Sequence, residues 1–279
     1  MRELKGKPVA DAITEKMREK IAALAEKGTV PTLAIVRVGE RPDDLSYERG
    51  ALKRFAGAGA RVQVHALPAD CTQVQLEETI CALNADAAVH GVLLFRPLPK
   101  HLCEDKIKQL LAPEKDMDCL TDAGYASLLT GGTLCPPCTP RAVVELIDHY
   151  GIDLTGKKVT VVGRSLVVGK PLALLLLGKN ATVTICHTRT KDLPAECRAA
   201  DVLVACAGSA KMIGPEHVHP GQIVIDVGIN VDAQGNLCGD VDFAAVADTV
   251  EAITPVPRGV GSITTAVLLK HVVEAAERV

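Results

Sequence analysis

Short aliphatic runs alternate with longer amphipathic stretches along almost the whole chain, and this alternation limits the available folds more than any other feature. The strand-like runs cover residues 32–38, 62–67, 91–95, 158–162, 182–186, 202–205 and 223–227. Between them, stretches such as 9–26 and 75–83 carry apolar residues at helical spacing. Parallel strands need a crossover connection, usually a helix, so the pattern reads as βαβ units and parallel sheets. The cluster GGTLCPPCTP at 131–140 concentrates turn formers and parts a first block from a second βαβ series. The expected fold class is α/β, with two α/β domains and a cleft between them, which suits a length of 279 residues. The stretch 262–278 reads as a closing helix with Ser262 as its N-cap. Aromatic residues make up only 2% and Trp is absent, so Ala, Val, Leu and Ile must fill the cores.

Charge and cysteine usage narrow the function classes. A formal charge of −3 leaves no basic excess for nucleic acid, and no run of like charge marks a disordered tail. The opening MRELKGKPVADAI is charged and lacks the apolar core of a secretory signal. The longest apolar candidate, LALLLLG at 172–178, is too short for a membrane span. Ten cysteines lie scattered, many in apolar runs, as in chains from a reducing compartment. The expectation is a soluble cytoplasmic protein with no nucleic-acid or membrane partner. The CPPC at 135–138 has the spacing of half a redox or metal site. No second pair or nearby histidine pair completes it, so no metal is expected.

The clearest candidate site is the segment KKVTVVGRSLVVGKPLALLLL, which reads as strand, turn and helix. Gly163, Ser165 and Gly169 fall in the turn, and Pro171 suits an early helical position, where its missing N–H is not needed. Free backbone N–H groups and the positive end of the helix dipole suit a pyrophosphate. The spacing G-x-S-x-x-x-G departs from G-x-G-x-x-G, so a tight βα turn without a ligand fits the turn equally well. The next strand ends at His187, Thr188 and Arg189, without the acidic residue that NAD enzymes often place on the ribose hydroxyls. Arg164, Thr188 and Arg189 suit a ribose phosphate instead, the alternative being that the arginines are solvated surface groups.

Further motifs follow in a fixed order. LKGKPVADAI opens the chain, followed by VGERPDDLSY with Tyr47, PLP at 97–99, PEKDMD at 113–118 and PCTP at 137–140. Then come VVGRSLVVGKP, ADVLV at 200–204, IVIDVGIN at 223–230, GDVDF at 239–243 and ITPVPRGVGSIT at 253–264. Collinear and nearly end to end, they resemble the methylenetetrahydrofolate dehydrogenase/cyclohydrolase (FolD) family. The resemblance implies a folate-side catalytic domain over 1–138, with helix 262–279 packing back on it, and a Rossmann-type NAD(P)-binding domain over 139–261. It implies Tyr47 and Asp118 as catalytic-site residues, Tyr47 stacking on the folate ring and Asp118 hydrogen-bonding the pterin. Leu94, Phe95, Arg96, Pro257, Gly259, Gly261 and Thr264 are implied for the rest of the substrate site. Thr139, Gly163, Arg164, Ser165, Gly169, Thr188 and Ile229 are implied for the cofactor, NADP, with NAD as the alternative. The implied partners are tetrahydrofolate derivatives, and the implied assembly is a homodimer through the second domain.

Several positions depart from that family. Its bifunctional members carry a lysine four residues after the tyrosine, where this chain has Ala51; the nearest lysine, Lys53, lies six residues on. At roughly 100° per residue, a fourth residue lies about 40° from Tyr47 around the helix and a sixth about 240° away, so Lys53 should face elsewhere. The family's glutamine before PLP is replaced by Phe95, with Arg96 beside it. Cys119 and Arg258 stand at usual glycines, and Ser262 at a usual proline. Hydride transfer asks the protein mainly to position two rings. Opening the methenyl ring with water needs proton transfers, for which a tuned lysine is suited. The expectation is therefore a dehydrogenase of one-carbon metabolism that oxidises 5,10-methylenetetrahydrofolate to 5,10-methenyltetrahydrofolate, with cyclohydrolase activity weak or lost. One alternative is a fully bifunctional enzyme giving 10-formyltetrahydrofolate, with Arg96, Arg49 or water in the lysine's place. Another is a non-catalytic folate-binding paralogue, which the intact cofactor turn disfavours.

Overall fold

The computed structural model describes residues 1–132 and 134–279, so Thr133 of the turn cluster lies outside the described residues. The chain divides into two compact units. One, residues 11–136 and 265–279, is built on a three-stranded sheet; the other, residues 1–10 and 137–264, on a six-stranded sheet.

The chain opens with β1 (Arg2–Glu3) and α1 (Gly6–Glu26), and the boundary between the units falls inside α1. The three-stranded unit continues with β2 (Thr32–Val38), α2 (Pro42–Ala58), β3 (Arg61–Leu67), α3 (Gln73–Ala85), β4 (Gly91–Leu94), α4 (Glu104–Leu110) and α5 (Asp122–Thr130). Its strand order is β3-β2-β4, parallel throughout. Central β2 is buried along almost its whole length, as expected of a strand covered on both faces, while edge β3 mixes exposed and half-buried positions. Ala34, Val36 and Val38 meet Leu76 and Ile80 of α3 and Ile107 of α4 in one aliphatic core.

Helix α2 carries the departures noted above, and local chemistry fixes its ends. Pro42 opens it, and Asp43 and Asp44 sit at the positive end of its dipole. Gly59 ends it at φ 88, returning its N–H to the Ala56 carbonyl at 3.2 Å. Ala51, Phe55 and Ala58 form its buried face, and Lys53 is exposed, as the helical geometry requires.

The six-stranded unit runs α6 (Cys138–His149), β5 (Lys158–Val162), α7 (Gly169–Leu177), β6 (Thr182–Cys186), α8 (Leu193–Arg198), β7 (Val202–Ala205) and β8 (Ile223–Asp226). A hairpin of β9 (Asn230–Val231) and β10 (Leu237–Cys238) follows, then α9 (Phe243–Val246) and β11 (Ala252–Ile253). Helix α10 (Thr264–Ala276) begins where the unit ends and, from residue 265, belongs to the three-stranded unit. The sheet order is β1-β11-β8-β7-β5-β6, every pairing parallel. From β5 the chain moves to β6 on one side and then to β7 on the other. That reversal opens a crevice at the carboxyl ends of β5 and β7, where doubly wound sheets take their ligands. This unit is Rossmann-type.

All seven expected strands are present, with ends within one residue. Residues 1–10 differ from the expected division, because β1 pairs with β11 (Arg2 opposite Ala252) and so joins the six-stranded sheet. A two-residue strand carries no periodicity that would announce it. Ser262 is not an N-cap: it closes a 3-10 turn over Val260–Ser262, and α10 starts at Thr264. Among the described residues no helix is long and apolar enough to cross a membrane.

Candidate active site

In the three-stranded unit, Leu94 ends β4, and Phe95 and Arg96 follow it. The Phe95 N–H still donates to Val36 of β2 at 3.0 Å. Tyr47 of α2 meets Phe95 edge to face, with centroids 5.9 Å apart and planes at 90°. Two contacts hold α2 in place for this. Glu48 accepts from Arg37 Nε of β2 at 2.9 Å, with both side chains 12% exposed. Arg41 Nη1 donates to the Pro97 carbonyl at 3.1 Å, tying the start of α2 to the loop after β4. Ala51, one turn after Tyr47, has no solvent exposure. The place expected for a polar pair is therefore apolar.

Arg54 was not singled out from the sequence, yet it lies on the Tyr47 side of α2, two turns along. Its Nε donates to Thr265 Oγ1 at 2.9 Å and its Nη1 to Thr14 Oγ1 at 2.8 Å, so it ties together α1, α2 and α10. Burial lowers its pKa from the ordinary arginine value.

Asp116 and Asp118 play different parts. A bridge between Val92 and Asp116 lays this segment beside β4. Asp116 is 3% exposed, and its carboxylate accepts the N–H groups of Asp118, Leu120 and Thr121 at 3.3, 3.0 and 2.7 Å. It shapes the turn. Asp118 is more open, with Arg96 Nη2 at 4.0 Å from its Oδ2; Arg96 Nη1 also lies 3.5 Å from Glu104 Oε1. The turn passes through Cys119 at φ 55, and Arg258 adopts φ 83. Both are left-handed conformations that glycine takes without steric cost, which accounts for the glycines expected there. Burial, reinforced by Asp116 and Asp118, pushes the Cys119 thiol up to about 12, so it stays protonated and unreactive.

In the six-stranded unit, Gly163 follows β5 at φ 133, and a Cβ there would collide with the Cys206 carbonyl just after β7. A Cβ on Gly169 would likewise strike the Gly163 carbonyl. Gly163 donates to the Cys186 carbonyl at 2.9 Å and Cys206 to Val162 at 2.8 Å, so the loops after β5, β6 and β7 are pinned together at the strand-order reversal. Ser165 Oγ accepts from Val168 N at 3.0 Å, leaving Arg164, Ser165, Leu166 and Val167 exposed before α7. Val162 pairs with Cys186, so Arg164 and Thr188 each stand two residues beyond adjoining strand ends. Arg164, Thr188 and Arg189 are all exposed, and residues 187–190 include no carboxylate.

A pocket of about 170 Å³ in the same unit brings together residues expected for different ligands: Ile229 for the cofactor, and Pro257, Gly259 and Gly261 for the substrate. Thr264 Oγ1 donates to the Gly261 carbonyl at 3.2 Å, and α6, with Thr139 in its first turn, packs against the Val260–Ser262 turn. Two buried acids not anticipated from the sequence stand here: Asp226 lines the pocket, and Asp240 lies next to it in the hydrogen-bond network. Asp226 accepts N–H bonds from Gly228, Asp240 and Val241 at 2.9, 3.0 and 2.9 Å, yet burial pushes its carboxyl up to about 6. Asp240 accepts from Ala207, Gly208 and Ser209 at 2.6, 3.0 and 2.8 Å and from Asn230 Nδ2 at 2.9 Å, fastening the loop after β7 to the hairpin. The available signal was an acid between apolar residues and glycines, in IDVG and GDVDF.

Fold and site together define a dinucleotide-binding α/β protein of Rossmann type. Residues 4–118 match the family model for tetrahydrofolate dehydrogenase/cyclohydrolase, catalytic domain, and residues 137–279 the model for the NAD(P)-binding domain of the same proteins. The chain belongs to the tetrahydrofolate dehydrogenase/cyclohydrolase family. It is 54% identical over 275 residues to the bifunctional protein FolD of Clostridioides difficile, a match covering 98% of this chain and 96% of that protein. The crystal structure of bifunctional FolD from Campylobacter jejuni superposes with a TM-score of 0.97 at 39% identity, covering 100% of this chain and 99% of that one. The Trypanosoma brucei FolD structure, complexed with NADP cofactor and inhibitor, gives a TM-score of 0.92 at 36% identity, covering 98% and 96%.

Proposed function

We propose that this chain oxidises 5,10-methylenetetrahydrofolate to 5,10-methenyltetrahydrofolate with NADP, and that its cyclohydrolase activity is weak or lost. The observation that carries the second half is the apolar corner of fully buried Ala51 and of Phe95 packed on Tyr47. The dinucleotide supplies a hydride acceptor; the turn at Gly163 and Gly169, which side chains would fill, suits its pyrophosphate. Arg164, Thr188 and Arg189 hold the ribose phosphate end, and Thr139, Ser165 and Ile229 complete the cofactor side. Tyr47, Leu94, Phe95, Arg96 and Asp118, with Pro257, Gly259, Gly261 and Thr264, are the folate-binding residues of this reading. The working form is a cytoplasmic homodimer, which light scattering would check.

The dehydrogenase reading is tested by following NADPH formation from methylenetetrahydrofolate. A kcat/KM at least tenfold higher with NADP than with NAD is expected, because charge-assisted bonds to a 2′-phosphate contribute about 1.5–3 kcal/mol. Arg164→Ala should erase most of that preference. Equal turnover with NAD, or unchanged NADP affinity in the variant, would refute the assignment.

Asp118→Ala should weaken folate binding by roughly 10- to 100-fold and leave NADP binding nearly unchanged, since a carboxylate facing pterin donors makes charge-assisted bonds. Calorimetry with each ligand separately decides it. Normal folate binding in the variant would remove Asp118 from the site.

The bifunctional relatives favour a second reading, in which both activities persist and Arg96 replaces the lysine. Against it, Arg96 already faces Glu104 and Asp118, and a guanidinium does not give up its proton near neutral pH.

A further inference from the structure

The aromatic pair does more than exclude a base. Resting on the folate reading above, we propose that Phe95, together with Tyr47, determines which charge state of the folate the protein holds, favouring the methenyl cation over the neutral methylene compound. In the oxidation, a C–H bond of the bridging carbon breaks and both electrons leave with the hydrogen to the oxidised nicotinamide ring. The ring loses its positive charge, and the folate gains one, shared over N5, the bridging carbon and N10. No proton is released in this step. The product differs from the substrate at the reacting carbon by one hydride, and hence by one delocalised positive charge.

A diffuse cation with little hydration is attracted to the face of an aromatic ring, most strongly where water is excluded. In an edge-to-face pair, the edge of one ring meets one face of the other. Each ring of the Tyr47–Phe95 pair therefore keeps at least one face that the pairing does not use. Both side chains are half-buried, which limits competition from water.

The surrounding charges favour Phe95 over Tyr47 as the ring that meets the cation. No ammonium stands at Ala51 to repel a cation, and Lys53 is exposed on the other side of the helix. The Arg96 charge lies between the carboxylates of Glu104 and Asp118, while Arg54, which donates to the hydroxyls of Thr14 and Thr265, keeps a positive charge within electrostatic reach of Tyr47, so Phe95 is the ring better placed to receive a cation. Ala51 thus brings no charge to this helix face, and Phe95 brings a π face beside Tyr47.

The test uses the full chain without dinucleotide, titrated with methenyltetrahydrofolate at mildly acidic pH, where that compound persists, and with methylenetetrahydrofolate. Phe95→Leu keeps an apolar side chain without the ring, and Phe95→Tyr keeps the ring. Phe95→Leu should lose about three- to thirtyfold in methenyl affinity, the range expected of a cation–π contact, and less than about twofold in methylene affinity. Phe95→Tyr should retain the preference of the unmodified protein. Equal losses for both ligands, no loss for either, or a Tyr variant as weak as the Leu variant would overturn the proposal. Failure of the unmodified protein to bind either folate would instead overturn the folate reading itself.

Discussion

Supplied with methylenetetrahydrofolate and NADP, the unmodified protein is expected to accumulate methenyltetrahydrofolate, with hydrolysis about 10²- to 10⁴-fold slower than in a lysine-bearing relative. The deficit follows from Ala51 and Phe95 near Tyr47, two apolar side chains that can neither donate nor accept a proton. Installing the lysine alone should recover little. At Ala51 the new amine would be desolvated beside an aromatic ring, and burial without a partner lowers the pKa of an amine. A neutral amine still accepts a proton, so Ala51→Lys should give some activity. Ala51→Lys with Phe95→Gln should give more than the sum of the two single changes, because neighbouring side chains that interact are not additive. Decay of the methenyl absorbance, corrected for spontaneous hydrolysis, measures all four proteins. Fast decay with the unmodified chain would show that another group performs the proton transfer.

The other large effect is expected at Gly163. Gly163→Ala places a Cβ against the Cys206 carbonyl and asks an L-residue to adopt φ 133. Strain and overpacking together should cost about 3 kcal/mol. Relief requires the loops after β5 and β7 to move apart, which displaces the N–H groups ahead of α7. NADP affinity should fall by more than about tenfold and the melting temperature by several degrees, while folate binding through Asp118 survives. Fluorescence titration and thermal denaturation measure the two effects. A variant that melts normally and binds NADP normally would show that the turn is not the cradle.

The parts of this fold legible in the sequence are those set by local pattern over many residues. The runs at 32–38, 158–162, 182–186 and 202–205 match the observed strands end for end, because buried parallel strands are nearly continuous aliphatic runs. Lys53 points away from Tyr47 because helix geometry leaves it no choice. What stayed hidden depends on partners far along the chain. The two residues of β1 become a strand only because β11 offers an edge. Arg54 is an unremarkable helix arginine until Thr14 and Thr265 are placed beside it. The same holds for Asp240, whose four donors come from residues 207–209 and 230. Within the site, the motif PEKDMD pointed to Asp118 and gave Asp116 no part of its own; the three N–H groups converging on Asp116 show that it builds the loop presenting its neighbour.

The interleaved division of the chain has a consequence for synthesis. The three-stranded unit includes α10, whose Ala266, Val267, Leu268 and Leu269 are fully buried, and the six-stranded sheet includes β1. Neither unit is a single stretch of polypeptide. While the chain is being made, the first sheet must wait with part of its apolar surface uncovered until α10 emerges, long after β4. Domains that are contiguous in sequence can fold in turn as they appear. Here the nascent chain cannot finish its first unit before its second, so the interval between β4 and α10 is when it is most open to aggregation and to chaperones. A chain cut between residues 136 and 137 should yield two fragments, each missing a piece of its own core or sheet, and should recover structure only when the fragments are mixed.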